Sequence, residues 1–179
     1  MAEPRRVYID TCCFIDLARV EIKDRLDTDR ENDAWHIKKL MEAHRDGEIR
    51  LFTSAITIVE CRHGGQNPPS EEIKSQFSRL LMSGQYVQLV QPTPFIMVDG
   101  RDLTWVHGLN IKGADSIHVA SALDRKCEEF LTSNGRLARF GQHGSTLQRL
   151  GLACKPARET QCLPTKYRQL ELSDGATAH

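Results

Sequence analysis

The sequence predicts an α/β fold, a sandwich of helices packed about a central parallel sheet. Three observations lead there. Short apolar segments alternate with longer helical patterns along the chain, as in a sheet whose strands are joined by helical crossovers. Neither an internal repeat nor a Gly/Ser-rich linker divides the 179 residues, a length that suits one domain with a sizeable core. The composition, 40% hydrophobic and 27% charged, is that of a globular chain rather than a disordered one.

The elements follow in order. Arg6-Val7-Tyr8-Ile9-Asp10 reads as a short buried strand that delivers Asp10 at its C-terminal end. Residues 14–18 predict a helical turn or two, and the densely charged residues 21–33 a solvated loop or exposed helical segment. Trp35, Ile37, Leu40 and Met41 stand at helical spacing within 34–45, and Asp46-Gly47 supplies a stop. A second strand over 49–53 runs into a short helix reaching Arg62, with Ser54 as its N-cap and His63-Gly64-Gly65 as its end. After the turn Asn67-Pro68-Pro69, Ser70 caps a helix over 71–83 whose Glu71 and Glu72 fall at its positive end. Residues 85–90 predict a third strand, and Thr93-Pro94 opens a helix carrying Ile96, Val98, Leu103 and Val106. A helix over 116–127, a fourth strand over 129–132, a short helix over 134–140 and a fifth strand over 152–155 complete the domain, placed at 1–155. Residues 156–179 are expected as an appendage ending in a loose tail.

Composition narrows the functional classes. No apolar run approaches the roughly 20 residues of a membrane span, and the N-terminus leads straight into a strand with no signal-peptide pattern, so a cytoplasmic location is expected. Six cysteines occur, but two are adjacent and none forms Cys-x-x-Cys, which disfavours a disulfide framework or structural zinc site. Lys and Arg number 24, as do Asp and Glu. That balance counts against a non-specific nucleic-acid coat protein and requires any phosphate-binding surface to be local.

Ligands of an open parallel sheet bind outside the carboxyl ends of its strands. Polar groups fall there: Asp10-Thr11 after the first strand, Thr53-Ser54 after the second, and Thr132-Ser133-Asn134 after the fourth. Glu60 lies within two helical turns of the second strand end, and Asp115 begins the helix that feeds the fourth strand. Carboxylates crowded to ~4 Å repel by about 4 kcal/mol per pair at an effective dielectric near 20, so a fold that gathers three usually holds a cation. Oxygen donors without thiolate or clustered imidazole suit Mg²⁺ or Mn²⁺. Each residue also has a plainer reading: Asp10, Asp115, Ser133 and Asn134 as helix caps, Glu60 as an exposed helix face, and His118 as a packed or surface histidine.

Four blocks taken together resemble the PIN-domain nucleases: Val7-Tyr8-Ile9-Asp10-Thr11; Thr53-Ser54-Ala55-Ile56-Thr57-Ile58-Val59-Glu60; Gly113-Ala114-Asp115-Ser116-Ile117-His118-Val119-Ala120-Ser121-Ala122; and Phe130-Leu131-Thr132-Ser133-Asn134. They occur in the family's order across most of the chain, and the third is the most distinctive. Within the family the chain looks most like the VapC-like toxins of type II toxin–antitoxin systems. The resemblance implies a Rossmann-like α/β/α sandwich, a Mg²⁺- or Mn²⁺-dependent endoribonuclease activity, and a small antitoxin partner. It places the metal ligands on Asp10, Asp115 and Glu60, with Glu60 alternatively orienting the nucleophilic water. Thr11, Thr132 and Ser133 would support them. The family's fourth acid falls on Asn134, which brings no charge and favours one ion over two. The implied chemistry is in-line attack of water on an RNA phosphodiester, with the ion lowering the pKa of water and offsetting transition-state charge. Arg62, Lys112, Arg136 and Arg139 are candidates for gripping phosphates.

An alternative from another class is a degenerate PIN module that binds RNA or a protein without cleaving, motivated by Asn134 and the zero net charge. An Asp-nucleophile phosphatase would want a second Asp two residues after Asp10, where this chain has Cys12. Residues 21–33 and 156–179 exceed a minimal domain of this kind and are candidates for antitoxin binding, for a homodimer contact, or for no specific role.

Overall fold

In the computed structural model, residues 3–22, 25–61, 69–111, 113–134 and 144–168 are described. Five strands form one sheet in the order β3-β2-β1-β4-β5: β1 (Arg5–Ile9), β2 (Ile49–Ser54), β3 (Gln88–Val90), β4 (Glu129–Leu131) and β5 (Ala153–Lys155). Every pairing is parallel, with Tyr8 opposite Phe52 on one side and Phe130 on the other. Seven α-helices accompany them among the described residues: α1 (Thr11–Glu21), α2 (Thr28–Arg45), α3 (Thr57–Glu60), α4 (Glu71–Met82), α5 (Pro94–Trp105), α6 (Ala114–Asp124) and α7 (Gly144–Arg149). The expected α/β/α sandwich is the observed one.

The period-2 geometry of a strand sends successive side chains to opposite faces, and here both faces are covered. Val7, Ile9, Leu51 and Leu131 pack with Phe14 and Leu17 of α1, Ile37 and Leu40 of α2, and Leu80 and Leu81 of α4. Tyr8, Phe52, Val90 and Phe130 pack on the other face with Ile96 and Leu103 of α5, Val119 and Ala122 of α6, and Leu147 of α7. Gly100 brings α5 close to α6: a Cβ there would meet the Ser116 carbonyl oxygen at 3.3 Å.

Several elements differ from expectation for identifiable reasons. Helix α1 spans eleven residues rather than a turn or two, because Asp10 caps it and its Cys13-Phe14-Leu17 stripe is buried. Part of the charged run 21–33 forms the start of α2, capped by the Asp27 side chain accepting from the Arg30 amide. Ser54 is not a helix N-cap. It is the last residue of β2, paired with Val90, and α3 starts three residues later without a side-chain cap. The cap expected at Ser70 is present, accepting from the Ile73 amide, and α5 opens at Thr93-Pro94 as expected, with the Thr93 side chain accepting from the Ile96 amide. Strand β3 is only three residues long, and Val98 and Val106, expected on the α5 pattern, are exposed while Ile96 and Leu103 are buried. The helix expected over 134–140 and the turns at 63–65 and 67–68 lie outside the described residues, apart from Asn134 itself.

The segment after β5 is packed down as far as it is described. It makes two 3₁₀ turns, Ala157–Glu159 and Thr165–Tyr167, and buries Ala157, Cys162 and Leu163 in the α1/α2/α4-side core. Polar contacts hold it: Arg158 pairs with the buried Asp33 of α2, and Glu129 accepts from the Thr160 hydroxyl and the Gln161 amide.

Candidate active site

The order β3-β2-β1-β4-β5 reverses direction between β1 and β4, and the crevice outside the carboxyl ends of those two strands is where such sheets bind ligands. Asp10 and Thr132 are the residues that follow these strands. The Asp10 amide donates to the Leu131 carbonyl at 3.0 Å, so the β1/β4 pairing carries into the site before the chain turns.

Asp10 ends in extended conformation and caps α1, with Oδ1 accepting from the Thr11 amide at 2.8 Å. Its Oδ2 accepts from the Thr132 hydroxyl at 2.6 Å and from the Cys12 thiol at 3.2 Å. The Thr11 hydroxyl in turn donates to Oε2 of Glu60 at 2.7 Å. Asp10 and Glu60, fifty residues apart in sequence, are therefore joined through the single residue Thr11. Thr57 and Thr53 line the floor beneath, their hydroxyls 2.8 Å apart.

Glu60 is also held from α6. His118 Nε2 lies 2.7 Å from Glu60 Oε2, and Nδ1 lies 2.7 Å from the Tyr8 hydroxyl. The Tyr8 oxygen accepts from the Ser54 amide at 2.7 Å, and its ring stacks on Phe130. Burial, partly offset by the Ser54 amide, pushes the Tyr8 hydroxyl well above its usual pKa, so it keeps its proton.

Asp115 occupies the first turn of α6, one turn before His118, where its negative charge meets the positive end of the helix. It does not cap the helix; Gly113 does, at φ 55° and ψ −127°. Ser133, after Thr132, donates its hydroxyl to Asp16 Oδ2 at 2.9 Å, and Arg30 clasps the same carboxylate through Nε at 3.1 Å and Nη2 at 2.5 Å. The Asn134 amide donates to the Thr132 hydroxyl oxygen at 3.0 Å, which places Asn134 at the mouth of the same loop.

The structure thus gathers Asp10, Thr11, Glu60 and Thr132 directly, with Ser133 and Asn134 on the adjoining loop and Asp115 on the helix that carries His118. Among the described residues no three Asp, Glu, His or Cys side chains form a ready-made metal-holding group. Arg62, Lys112, Arg136 and Arg139 lie outside the described residues. Sequence reasoning passed over Tyr8, Cys12, Asp16 and Arg30; of its two readings of His118, packed or surface, the packed one holds, and its bond to Glu60 was not foreseen. Asp16 had a signal: a carboxylate on the apolar stripe of Cys13, Phe14 and Leu17 must find a partner.

The donor set is one of oxygens. Burial, followed by the Glu60 charge, raises the Cys61 thiol to about 12, and burial followed by the Asp10 charge raises Cys154 to about 12. Those thiols stay protonated and are poor metal ligands. Mg²⁺ is commonly held by one or two carboxylates while keeping several waters. Asp10 and Glu60 supply two such carboxylates.

Fold and site together define a doubly wound α/β domain with acidic residues at the switch point of its sheet. The PIN domain family model matches residues 7–142, and the chain belongs to the PIN domain family. No curated protein matches the chain. Among solved structures, a chain of VapBC2 from Rickettsia felis, bound to a DNA fragment from its promoter, is similar at a TM-score of 0.51 and 13% identity, covering 84% of this chain and 98% of that one. A chain of FitAB bound to an IR36 DNA fragment is similar at a TM-score of 0.51 and 14% identity, covering 87% of this chain and 97% of that one. Identities this low establish a common fold.

Proposed function

We propose that this chain is a divalent-metal-dependent endoribonuclease that acts as the toxin of a toxin–antitoxin pair in the cytoplasm. The observation that carries the reading is the coupling of Asp10 to Glu60 through Thr11 at the β1/β4 switch point, with Thr132 holding Asp10 from β4. Membership of the PIN family supports nuclease chemistry. The similar folds in VapBC2 and FitAB, both protein complexes bound to DNA, support a protein partner. Among the described residues no helix is long and apolar enough to cross a membrane, which is compatible with the location proposed.

Asp10, Asp115 and Glu60 are the residues proposed to hold Mg²⁺ or Mn²⁺. When bound, the ion supplies positive charge against the scissile phosphate and makes water a better nucleophile. Thr11 and Thr132 fix the two carboxylates by hydroxyl hydrogen bonds, so neither must reorganise as charge develops. Asn134 offers an amide oxygen and no charge, which favours one ion over two. Arg62, Lys112, Arg136 and Arg139 remain the proposed phosphate contacts.

The test is cleavage of a mixed-sequence RNA by the full chain in Mn²⁺ or Mg²⁺. Cleavage abolished by Asp10→Asn and by Asp115→Asn is the expected result, and robust cleavage surviving both would rule the reading out. A second reading, a PIN module that binds RNA or protein without cutting, is favoured by Asn134 and by the lack of a three-carboxylate group among the described residues. Calorimetric titration separates the two: no Mn²⁺ binding at millimolar concentration selects the non-cutting module.

A further inference from the structure

His118 is a buried side chain that touches both a proposed metal ligand, Glu60, and Tyr8 in the core beneath it. It is 1% exposed, with both ring nitrogens within hydrogen-bond distance of a partner. Hydrogen accounting points to the nitrogen that carries the proton. Nε2 faces Glu60 Oε2, an oxygen that already accepts from the Thr11 hydroxyl, so an attractive contact at 2.7 Å needs a hydrogen on Nε2. The Thr11 oxygen, 3.2 Å from the same nitrogen, has given its hydrogen to Glu60 and offers none to the ring. On the other side, the Tyr8 oxygen accepts from the Ser54 amide at 2.7 Å and is hydrogen-bonded by the Thr53 side chain; with both lone pairs used in this way, the Tyr8 hydrogen points at Nδ1.

We propose that Tyr8 and His118 form a positioning relay: the Tyr8 hydroxyl donates to Nδ1, holds His118 as its Nε2–H tautomer, and so aims the Glu60 carboxylate into the site. The inference deepens the nuclease reading and rests on it only where metal affinity is concerned. Three elements meet in the relay. Tyr8 comes from the central strand β1, two residues before Asp10. Ser54 is the last residue of β2, and its amide anchors the Tyr8 oxygen. His118 sits on α6 three residues after Asp115, so the same side chain that orients Glu60 also sets α6 against α3. In the opposite tautomer a bare Nε2 would face a carboxylate oxygen, replacing attraction with repulsion. Ring packing supports the arrangement: Tyr8 lies nearly parallel to Phe130, with centroids 5.1 Å apart, and meets the His118 ring edge-on. Neither Tyr8 nor His118 need touch RNA or metal for the relay to act; both are positioning residues.

Two measurements on the full chain test it. With ¹⁵N-histidine labelling, NMR reports which ring nitrogen of His118 is protonated, the resonances being assigned by their loss in His118→Gln. The expected spectrum has a bare Nδ1 and a protonated Nε2; a hydrogen on Nδ1 in the wild type overturns the relay. The second measurement is Mn²⁺ affinity by calorimetry. His118→Leu should weaken binding about tenfold or more, the worth of one hydrogen bond to a charged group, and Tyr8→Phe, which removes a neutral one, about threefold to tenfold. His118→Gln, which keeps an N–H for Glu60, should recover most of the loss seen in His118→Leu. That recovery separates positioning from packing and stands even where Tyr8→Phe fails to fold. Affinities of Tyr8→Phe and His118→Leu equal to wild type, or a Gln variant no better than Leu, overturn the proposal. A wild type that binds no Mn²⁺ sinks the nuclease reading, while the nitrogen spectrum still decides the tautomer.

Discussion

Replacing Arg30 by Met tests whether the loop after β4 is held by a buried ion pair. The Asp16 side chain is 2% exposed, whereas that of Arg30 is 35% exposed. Arg30→Met keeps most of the aliphatic stem and removes both N–H contacts, leaving the Ser133 hydroxyl as a neutral donor to a buried carboxylate. Removing one partner of a fully buried pair costs roughly 3–5 kcal/mol. Arg30 is open to water on one side, and solvent entering the vacated space softens the penalty, so the low end applies, about 3 kcal/mol. For a chain of this size each kcal/mol lowers Tm by roughly 2–4 °C, giving a fall of about 6–12 °C. Urea unfolding at neutral pH reads the same loss as a lower midpoint at unchanged slope. Adding Asp16→Asn to Arg30→Met removes the stranded charge and should recover about half of the deficit. A single variant within about 1 kcal/mol of wild type, or a double variant no better than the single, refutes the argument that Asp16 depends on this pair.

Thr132→Val deletes the hydroxyl that holds Asp10 from β4; initial rates of RNA cleavage at saturating Mn²⁺ should fall at least tenfold while Tm changes by only a few degrees, and an unchanged rate would detach Thr132 from the site. Gly113 sits at φ 55° and ψ −127° before α6, a conformation only glycine adopts readily, so Gly113→Ala should cost about 1–3 kcal/mol in urea unfolding although its Cβ would meet nothing within 4 Å. Glu129 supplies the pH prediction. Burial pushes its carboxyl up, but the Thr160 hydroxyl, the Gln161 amide and Lys155 outweigh burial, and the net shift is below the ordinary 4.5. A depressed carboxylate contributes stability that is fully present above the unfolded value and is lost as pH falls through the folded one. Thr160→Val should therefore destabilise by about 2 kcal/mol at pH 7, with the difference from wild type shrinking below pH 4.5; a difference constant with pH would show that Glu129 charge is not involved.

What the sequence disclosed, and what it hid, divides along the range of the forces involved. The strands β1 and β2, the Ser70 cap, the helix start at Thr93-Pro94 and the alternating apolar faces were legible because each depends on neighbours within a few residues. Ser54 was misread because its local preference for capping lost to strand pairing with Val90, a partner 36 residues away. Residues 21–33 looked solvated because nothing local accounts for a buried Asp33; its partner, Arg158, lies 125 residues further on. The packing of residues 156–168 was hidden for the same reason, since its three buried apolar residues are too sparse to form a pattern. At the site, Asp10 was legible as a carboxylate ending an apolar strand, and Glu60 and Asp115 mainly through resemblance. The links between Asp10 and Glu60 were not, because Thr11, Thr132, Tyr8 and His118 look like ordinary strand and helix residues until the fold sets them side by side.

Asn134 gives those links further meaning. A fourth carboxylate at ~4 Å from another would add about 4 kcal/mol of repulsion at an effective dielectric near 20, to be offset only by bound cations. With an amide there, less positive charge is needed to stabilise the site, and neutral donors can hold it instead. Asp10 has the Thr11 amide, the Thr132 hydroxyl and the Cys12 thiol; Glu60 has the Thr11 hydroxyl and the His118 ring. On the proposed reading such a site keeps its order without an ion, and a bound ion would add charge rather than assemble the geometry. Mn²⁺ binding to the wild type should accordingly leave the His118 nitrogen shifts nearly where they were, whereas a site assembled by metal would move them on titration.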